Sequence, residues 1–355
     1  RAEYASTEIS SPGGNMAERP KVCIDRVLPQ EVFRNQPVIR RSRGGALRAV
    51  FEFRKMWING STLRVRFMSG TSAERNVARE QAAWWSAHAN LKFDFNDAPD
   101  AEIRIAFDSN DGAWSWVGTD SKRIPQDEPT MNLGFLDGGT AGHEFGHAIG
   151  LGHEHQNPQG GIEWNEEVVI RDLKGPPNNW NEAQIRHNVL NKYSADQIRG
   201  TKFDPDSIML YFFPPSWTKD GSGTKANEVV SGMDAAFIAS AQAYPKTEVE
   251  AVELQVNASR GTSASIGKPG EEDLFKFSAD RAGRYIISTR GSTDVIMKLF
   301  GPDSQTQLIA EDDDSGVGTN ARIVSDLIPG VYYVQIRHYY KATGTGDYTV
   351  RVRRA

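Results

Sequence analysis

Between residues 63 and 67 the apolar side chains fall on alternate positions, Leu63, Val65 and Phe67, which is the period of a half-buried strand. Thr71 and Glu74 then stand three apart ahead of a stretch running to Trp85, the signature of a capping box opening a helix. The two-residue period returns at Leu91, Phe93 and Phe95, at Ile103, Ile105 and Phe107, and at Met131, Leu133 and Phe135, predicting three more strands. From residue 166 to 245 the signals weaken, with helical stretches over 181–190 and 234–243 separated by loops containing Pro and Gly. Beyond Pro245 short strands take over, at 274–277, 285–288, 295–300, 321–324, 331–336 and 348–352, separated by turn residues such as Ala282-Gly283, Gly301-Pro302-Asp303 and Pro329-Gly330. The pattern predicts an α+β protein: an α/β-type first half and a separate all-β sandwich of about 100 residues. The expected division is 1–46 as an N-terminal extension readable as a pro-segment, 47–246 as one domain and 247–355 as the sandwich.

A length of 355 residues agrees with two cores rather than one. No apolar stretch approaches the roughly 18 residues that would span a bilayer, so no membrane span is expected. A net charge of -5 with both signs intermixed offers no basic face for a phosphate backbone, which excludes nucleic acid as a partner. Cys23 is the single cysteine, so neither an internal disulfide nor a cysteine-based zinc finger can form, and any metal must be held by His, Asp or Glu. The first 45 residues are rich in Ser, Pro, Gly, Asn and Arg, carry a basic run at Arg40, Arg41 and Arg43, and begin with Arg1 rather than an initiator Met, as a processed or trimmed chain would.

The chemistry gathers in one place. Four of the seven histidines lie between residues 143 and 155. On a helix, His143 and His147 share a face and can offer imidazole nitrogens to one ion at about 2 Å. Glu144, about 100° further round, can bring its carboxylate beside a water on that ion without ligating it, as a general base requires. Gly150 can take the positive φ that ends a helix, so that His153 returns to the same ion as a third neutral ligand. Three ligands leave a position open, which distinguishes a catalytic zinc from a closed structural one. His88, His155, His187 and His338 are read as surface or packed imidazoles.

The run His143, Glu144, His147, Gly150, His153, followed by Met209 in Ser207-Ile208-Met209-Leu210-Tyr211, resembles the metzincin signature of an extended HExxH motif and a Met-turn. Within that clan the chain is most similar to the astacin family, on Glu154 directly after the third His, on His155-Gln156-Asn157-Pro158, on Tyr211 two residues after the turn Met, and on residues 113–118 upstream. The resemblance covers about residues 47–246 and departs from the family in lacking its disulfides and in having Gln159, Gly160, Gly161, Ile162, Glu163 and Trp164 after the motif.

The resemblance implies a zinc-dependent endopeptidase acting on proteins or peptides. It implies Met209 as a hydrophobic base under the metal, Tyr211 as a fifth ligand able to swing toward the tetrahedral intermediate, Glu154 as an organiser behind the ligands, and the strand Met131, Asn132, Leu133, Gly134 and Phe135 as an exposed edge that pairs with substrate. Cys23 has two readings: a thiolate at the open zinc position keeping a zymogen latent, similar to the cysteine switch of matrix metalloproteinases, or a buried inert thiol between Val22 and Ile24. The C-terminal part resembles the bacterial pre-peptidase C-terminal (PPC) domain on residues 273–277, 312–316, 320–323 and 330–334, implying a secreted bacterial protein. There Asp294, Asp312, Asp313 and Asp314 read either as calcium ligands or as a solvated acidic turn. A monomer is the expected state. The competing expectation is a secreted binding module with a vestigial zinc site.

Overall fold

The computed structural model describes residues 24–26 by their backbone, and residues 55–355 except 177, 193–201, 248–249 and 341–342. Cys23 and the basic run at 40–43 lie outside the described residues. In chain order the first half comprises β1 (Ile24–Arg26), β2 (Thr62–Phe67), α1 (Ser72–Ser86), β3 (Lys92–Asp94), β4 (Ile103–Ala106), β5 (Ala113–Trp116), β6 (Met131–Leu133) and α2 (Thr140–Ala148). The helices α3 (Glu166–Lys174), α4 (Glu182–Ile185) and α5 (Gly232–Ile238) follow.

The six strands form one sheet in the order β1-β5-β6-β4-β2-β3. Apolar residues at alternate positions, among them Val65, Phe67, Ile105, Met131 and Leu133, bury one face against α1 and α2 in a core that also takes in Phe145, Ile149 and Met209. The capping box of α1 is present, with the Thr71 side chain accepting from Glu74 N and the Glu74 side chain accepting from the Thr71 backbone. Its buried stripe, Ala78, Gln81, Ala82 and Trp85, faces the start of α2. There Gln81 accepts from Gly142 N at 2.8 Å and donates to Gly138 O at 2.8 Å, while the Trp85 indole donates to Gly142 O at 2.7 Å. A side-chain acceptor thus satisfies one of the amides that every helix start leaves open.

One expectation is overturned by the sheet order. The strand carrying Met131, Asn132 and Leu133 is interior: β6 pairs in parallel with β4 through Ile105↔Met131 and Ala106↔Asn132, and antiparallel with β5 through Ala113↔Leu133 and Trp114↔Asn132. Its main-chain groups are shared out on both sides, and all three residues are buried. Asn132 holds the preceding loop instead, donating to Asp108 O and Gly112 O and accepting from Asp108 N, and Gly134 N donates to Gly112 O. The outer strand of the antiparallel pair is β5, and beyond it β1 pairs in parallel with the register Ile24↔Trp114, Asp25↔Ser115 and Arg26↔Trp116.

The second half contains β7 (Val252–Glu253), β8 (Thr262–Ile266), β9 (Glu272–Ala279), β10 (Gly283–Gly291), β11 (Val295–Phe300), β12 (Leu308–Asp312), β13 (Arg322–Leu327), β14 (Gly330–His338) and β15 (Gly346–Arg354). They make two sheets, β13-β10-β15-β8 and β12-β11-β14-β9-β7, facing across a core of Phe277, Tyr285, Ile287, Met297, Tyr332, Val334, Ile336 and Val350. The expected strands are all present. β8 and β12 were not expected, because Thr-Ser-Ala-Ser-Ile and Leu-Ile-Ala-Glu-Asp lack a strong alternation. In the region of weak signal, α3 is a full helix with acidic residues first and basic ones last. That helix was not expected; of the two that were, 181–190 is α4 continued by a wider turn over Arg186–Leu190, and in place of 234–243 α5 starts earlier, at a Ser231 cap, and ends at Ile238.

Candidate zinc centre

α2 carries His143, Glu144 and His147, all buried. Two glycines within it allow close packing: a Cβ at Gly142 would press on the Trp84 ring and one at Gly146 would collide with Met209 Sδ. The helix ends at Gly150, whose φ of 105° lies in the left-handed region, and the chain returns through Leu151 to His153. The Nε2 atoms of the three histidines converge: His147 lies 3.0 Å from His143 and 3.2 Å from His153. The far nitrogens of the first two are 2.7 Å from carbonyls, His143 Nδ1 from Ile208 O and His147 Nδ1 from Leu151 O. Carbonyls only accept, so both Nδ1 atoms carry the proton and both Nε2 lone pairs face inward. Lone pairs at this spacing repel unless a cation lies among them, so the donor set fits zinc.

The Met-turn closes the site from below. Met209 is 2% exposed, its carbonyl accepts from Glu154 N at 2.9 Å, and its amide donates to Ser207 Oγ at 3.0 Å. The Asp234 carboxylate, from α5, accepts from Ser207 Oγ at 2.7 Å and from the amides of Ile208 at 2.9 Å and Ser231 at 3.1 Å. Burial raises the Asp234 pKa, and these bonds oppose that. Since Ile208 O is the carbonyl that orients His143, Asp234 fixes a ligand at one remove. The sequence reading missed it; its only signal is a capping box, Ser231 with Asp234.

Glu154 lies directly behind His153. Its carboxylate accepts from Asp204 N at 2.9 Å and Asn157 Nδ2 at 3.0 Å, and burial pushes its pKa up to about 8 against those bonds. Tyr211 brings its hydroxyl to 2.5 Å from His153 Nε2, with its ring centroid 4.5 Å from that of His143. His155 is packed at 4.9 Å from the His153 ring, with Nε2 2.9 Å from Asn188 O.

Asp294, Asp312, Asp313 and Asp314 do not form a cluster of three or more side-chain ligands. Among the described residues, only His143, His147 and His153 form a group of three or more potential ligand side chains within 4.8 Å of one another. Asp312 instead serves its own loop, accepting from the Ser315 amide and hydroxyl and from Arg322 N.

The profile of the astacin family of peptidases matches residues 50–227. A structure of myroilysin is similar, with 34% identity over 56% of this chain and 100% of that one, at a TM-score of 0.53. A second myroilysin structure shows 31% identity over 62% of this chain and 89% of its own, at 0.44. A pre-peptidase C-terminal domain of a collagenase from Bacillus anthracis is 19% identical over 30% of this chain and 98% of its own, at 0.27. No curated protein matches the chain.

Proposed function

The chain belongs to the astacin family of zinc metalloendopeptidases, and from that premise we propose how its own residues divide the work of hydrolysing a peptide bond. His143, His147 and His153 would hold a zinc ion, which when bound would supply Lewis acidity for activating water and polarising a carbonyl. Glu144, buried on the same helix, takes the proton of the attacking water on its carboxylate and hands it to the leaving amine. Tyr211 donates its phenolic hydrogen to the oxyanion. Glu154, Met209 and Asp234 hold the ligands and the turn in register. The observation that carries this reading is the convergence of three imidazole nitrogens beside the Tyr211 hydroxyl, on and after the helix that also carries the buried Glu144. The intact Glu144 disfavours a vestigial role, since a purely structural site has no use for a general base.

The substrate is protein, and in this reading an extended peptide adds as a strand to the outer side of β5. β1 lies on that side, which supports taking residues 1–46 as a pro-segment that covers the cleft of the catalytic domain, 47–246, until it is removed. Under this reading Cys23, which directly precedes β1 in sequence, serves as the latency ligand and the basic run at Arg40, Arg41 and Arg43 as the activation site. A peptidase kept covered by a cleavable segment suits action outside the cell that makes it.

The test compares casein hydrolysis by the intact chain before and after limited cleavage at residues 40–43, with a chelator control. We expect cleavage to raise activity, the chelator to abolish it and added zinc to restore it, and we expect Cys23→Ser to be active without cleavage. If the intact chain is as active as the cleaved one, the latency reading fails while the peptidase reading stands.

A further inference from the structure

Alternation along β11 and β14 assigns Met297, Leu299, Val334 and Ile336 to the sandwich core and Lys298, Gln335 and Arg337 to the opposite, outer face. On a free sandwich that face meets water. Here it does not: Lys298 is 2%, Gln335 3% and Arg337 6% exposed. They are covered by residues 55–59, a strap in which no residue is more than 9% exposed until Gly60.

The strap is held from the sandwich side at several points. Lys298 Nζ donates to Met56 O at 3.2 Å, Gln335 Nε2 donates to Trp57 O at 3.2 Å, and Asn59 N donates to Glu272 Oε1 at 3.3 Å. Glu272 is itself paired with Arg337, and Ile58 packs against Leu274 and Phe300. On its other side the strap meets the end of α2. The Trp57 indole donates to Ala148 O at 2.9 Å, Trp57 N donates to the Tyr244 hydroxyl at 3.0 Å, and that hydroxyl donates to Ile149 O at 2.8 Å.

These two carbonyls belong to the helix end that lacks intrahelical donors. Gly150 follows them, then Leu151, whose carbonyl orients His147, and then His153. The end of α2 is therefore held by Trp57 and Tyr244, and Trp57 is held by the sandwich.

We propose that the C-terminal sandwich is a positioning element of the zinc centre, with Gln335 at Trp57 O and Lys298 at Met56 O holding Trp57 against the end of α2, where the His147–His153 turn begins. None of these side chains is a catalytic residue. The inference rests on the zinc reading of the histidines and needs no assumption about substrate or latency.

The test uses the full chain, cleaved at residues 40–43 before turnover is measured. Trp57→Phe keeps an aromatic side chain, though a smaller one, and deletes the indole donor to Ala148 O, Gln335→Ala deletes the donor to Trp57 O, and Arg284→Ala, on the far sheet with a side chain 63% exposed, is the control. Zinc affinity is read by competition with a chelator, alongside kcat, KM and melting temperature. We expect Trp57→Phe and Gln335→Ala to lower zinc affinity about ten-fold or more, the size typical for groups that orient metal ligands, and to lower kcat with KM little changed. The control should match the wild type.

A lowered melting temperature with wild-type zinc affinity and kcat would make the contacts merely structural and overturn the proposal. Should Gln335→Ala fail to fold, amide hydrogen exchange on the wild-type chain decides: stripping zinc should speed exchange at residues 55–59 and leave β10 and β15 unchanged. Unchanged exchange at 55–59 would refute the coupling. Glu144→Ala separates this result from the peptidase reading, since it should lose turnover while keeping zinc affinity and exchange at wild-type values.

Discussion

Two buried polar clusters, one at the zinc centre and one at the boundary with the sandwich, solve the problem of burial in opposite ways. At the zinc centre three imidazoles turn acceptor nitrogens toward one another at 3.0 and 3.2 Å, an arrangement that needs a cation. At the boundary with the sandwich, Glu102 is fully buried and accepts from Arg64 at 2.7 Å, from Lys122 at 3.4 Å and from the Thr306 hydroxyl at 2.9 Å. That cluster is neutralised by its own chain. Burial therefore does not mark a functional site; the kind of group facing inward does.

The comparison breaks first at Glu102. Glu102→Ala strands Lys122 and part of Arg64, whose side chains are 2% and 29% exposed, and should cost about 3 kcal/mol in chemical denaturation, less than a fully enclosed pair because Arg64 reaches water. Zinc stoichiometry in the folded protein should stay at one. Loss of zinc along with stability would erase the distinction between the clusters.

Tyr211→Phe sharpens the other side. Removing the hydroxyl beside His153 while keeping the ring should lower kcat about 100-fold and leave KM and zinc content nearly unchanged, as expected for a donor used in the transition state. A rise in KM alone would make Tyr211 a substrate-binding residue.

The smallest effect concerns Asp273 in the sandwich. Burial pushes its pKa up to about 6 from 3.8, against a hydrogen bond from the Tyr348 hydroxyl at 2.6 Å. The raised value means the folded state holds the proton more tightly. Its stability contribution is thus full below about 3.8 and lost as pH rises through about 6. Thermal unfolding between pH 4 and 7 should show this decline in the wild type and a flatter profile in Asp273→Asn; identical profiles would remove Asp273 from the account.

Much of this was legible in the sequence where the information is local. The capping box at Thr71 and Glu74, the spacing of His143, His147 and His153, the turn glycine at 150 and the alternation of the long sandwich strands all depend on neighbours a few residues apart. Strand order is not local. The edge expected at Met131, Asn132 and Leu133 comes from the family resemblance, and nothing near them in sequence reveals that β5 folds back alongside or that β1 pairs with β5 across ninety positions. Alternation alone puts Lys298, Gln335 and Arg337 on the outer face of their sheet, and only the docking of the two halves buries them. Asp234 carried the weak mark of a helix cap, which does not announce that its carboxylate also holds the Met-turn.

The central claim is that the histidines hold the metal while Glu144 moves the proton. Zinc content and kcat measured together on activated Glu144→Ala test it most directly. The account predicts one zinc per chain, as in the wild type, with kcat reduced by about 10²- to 10⁴-fold. Wild-type turnover with zinc retained would contradict it.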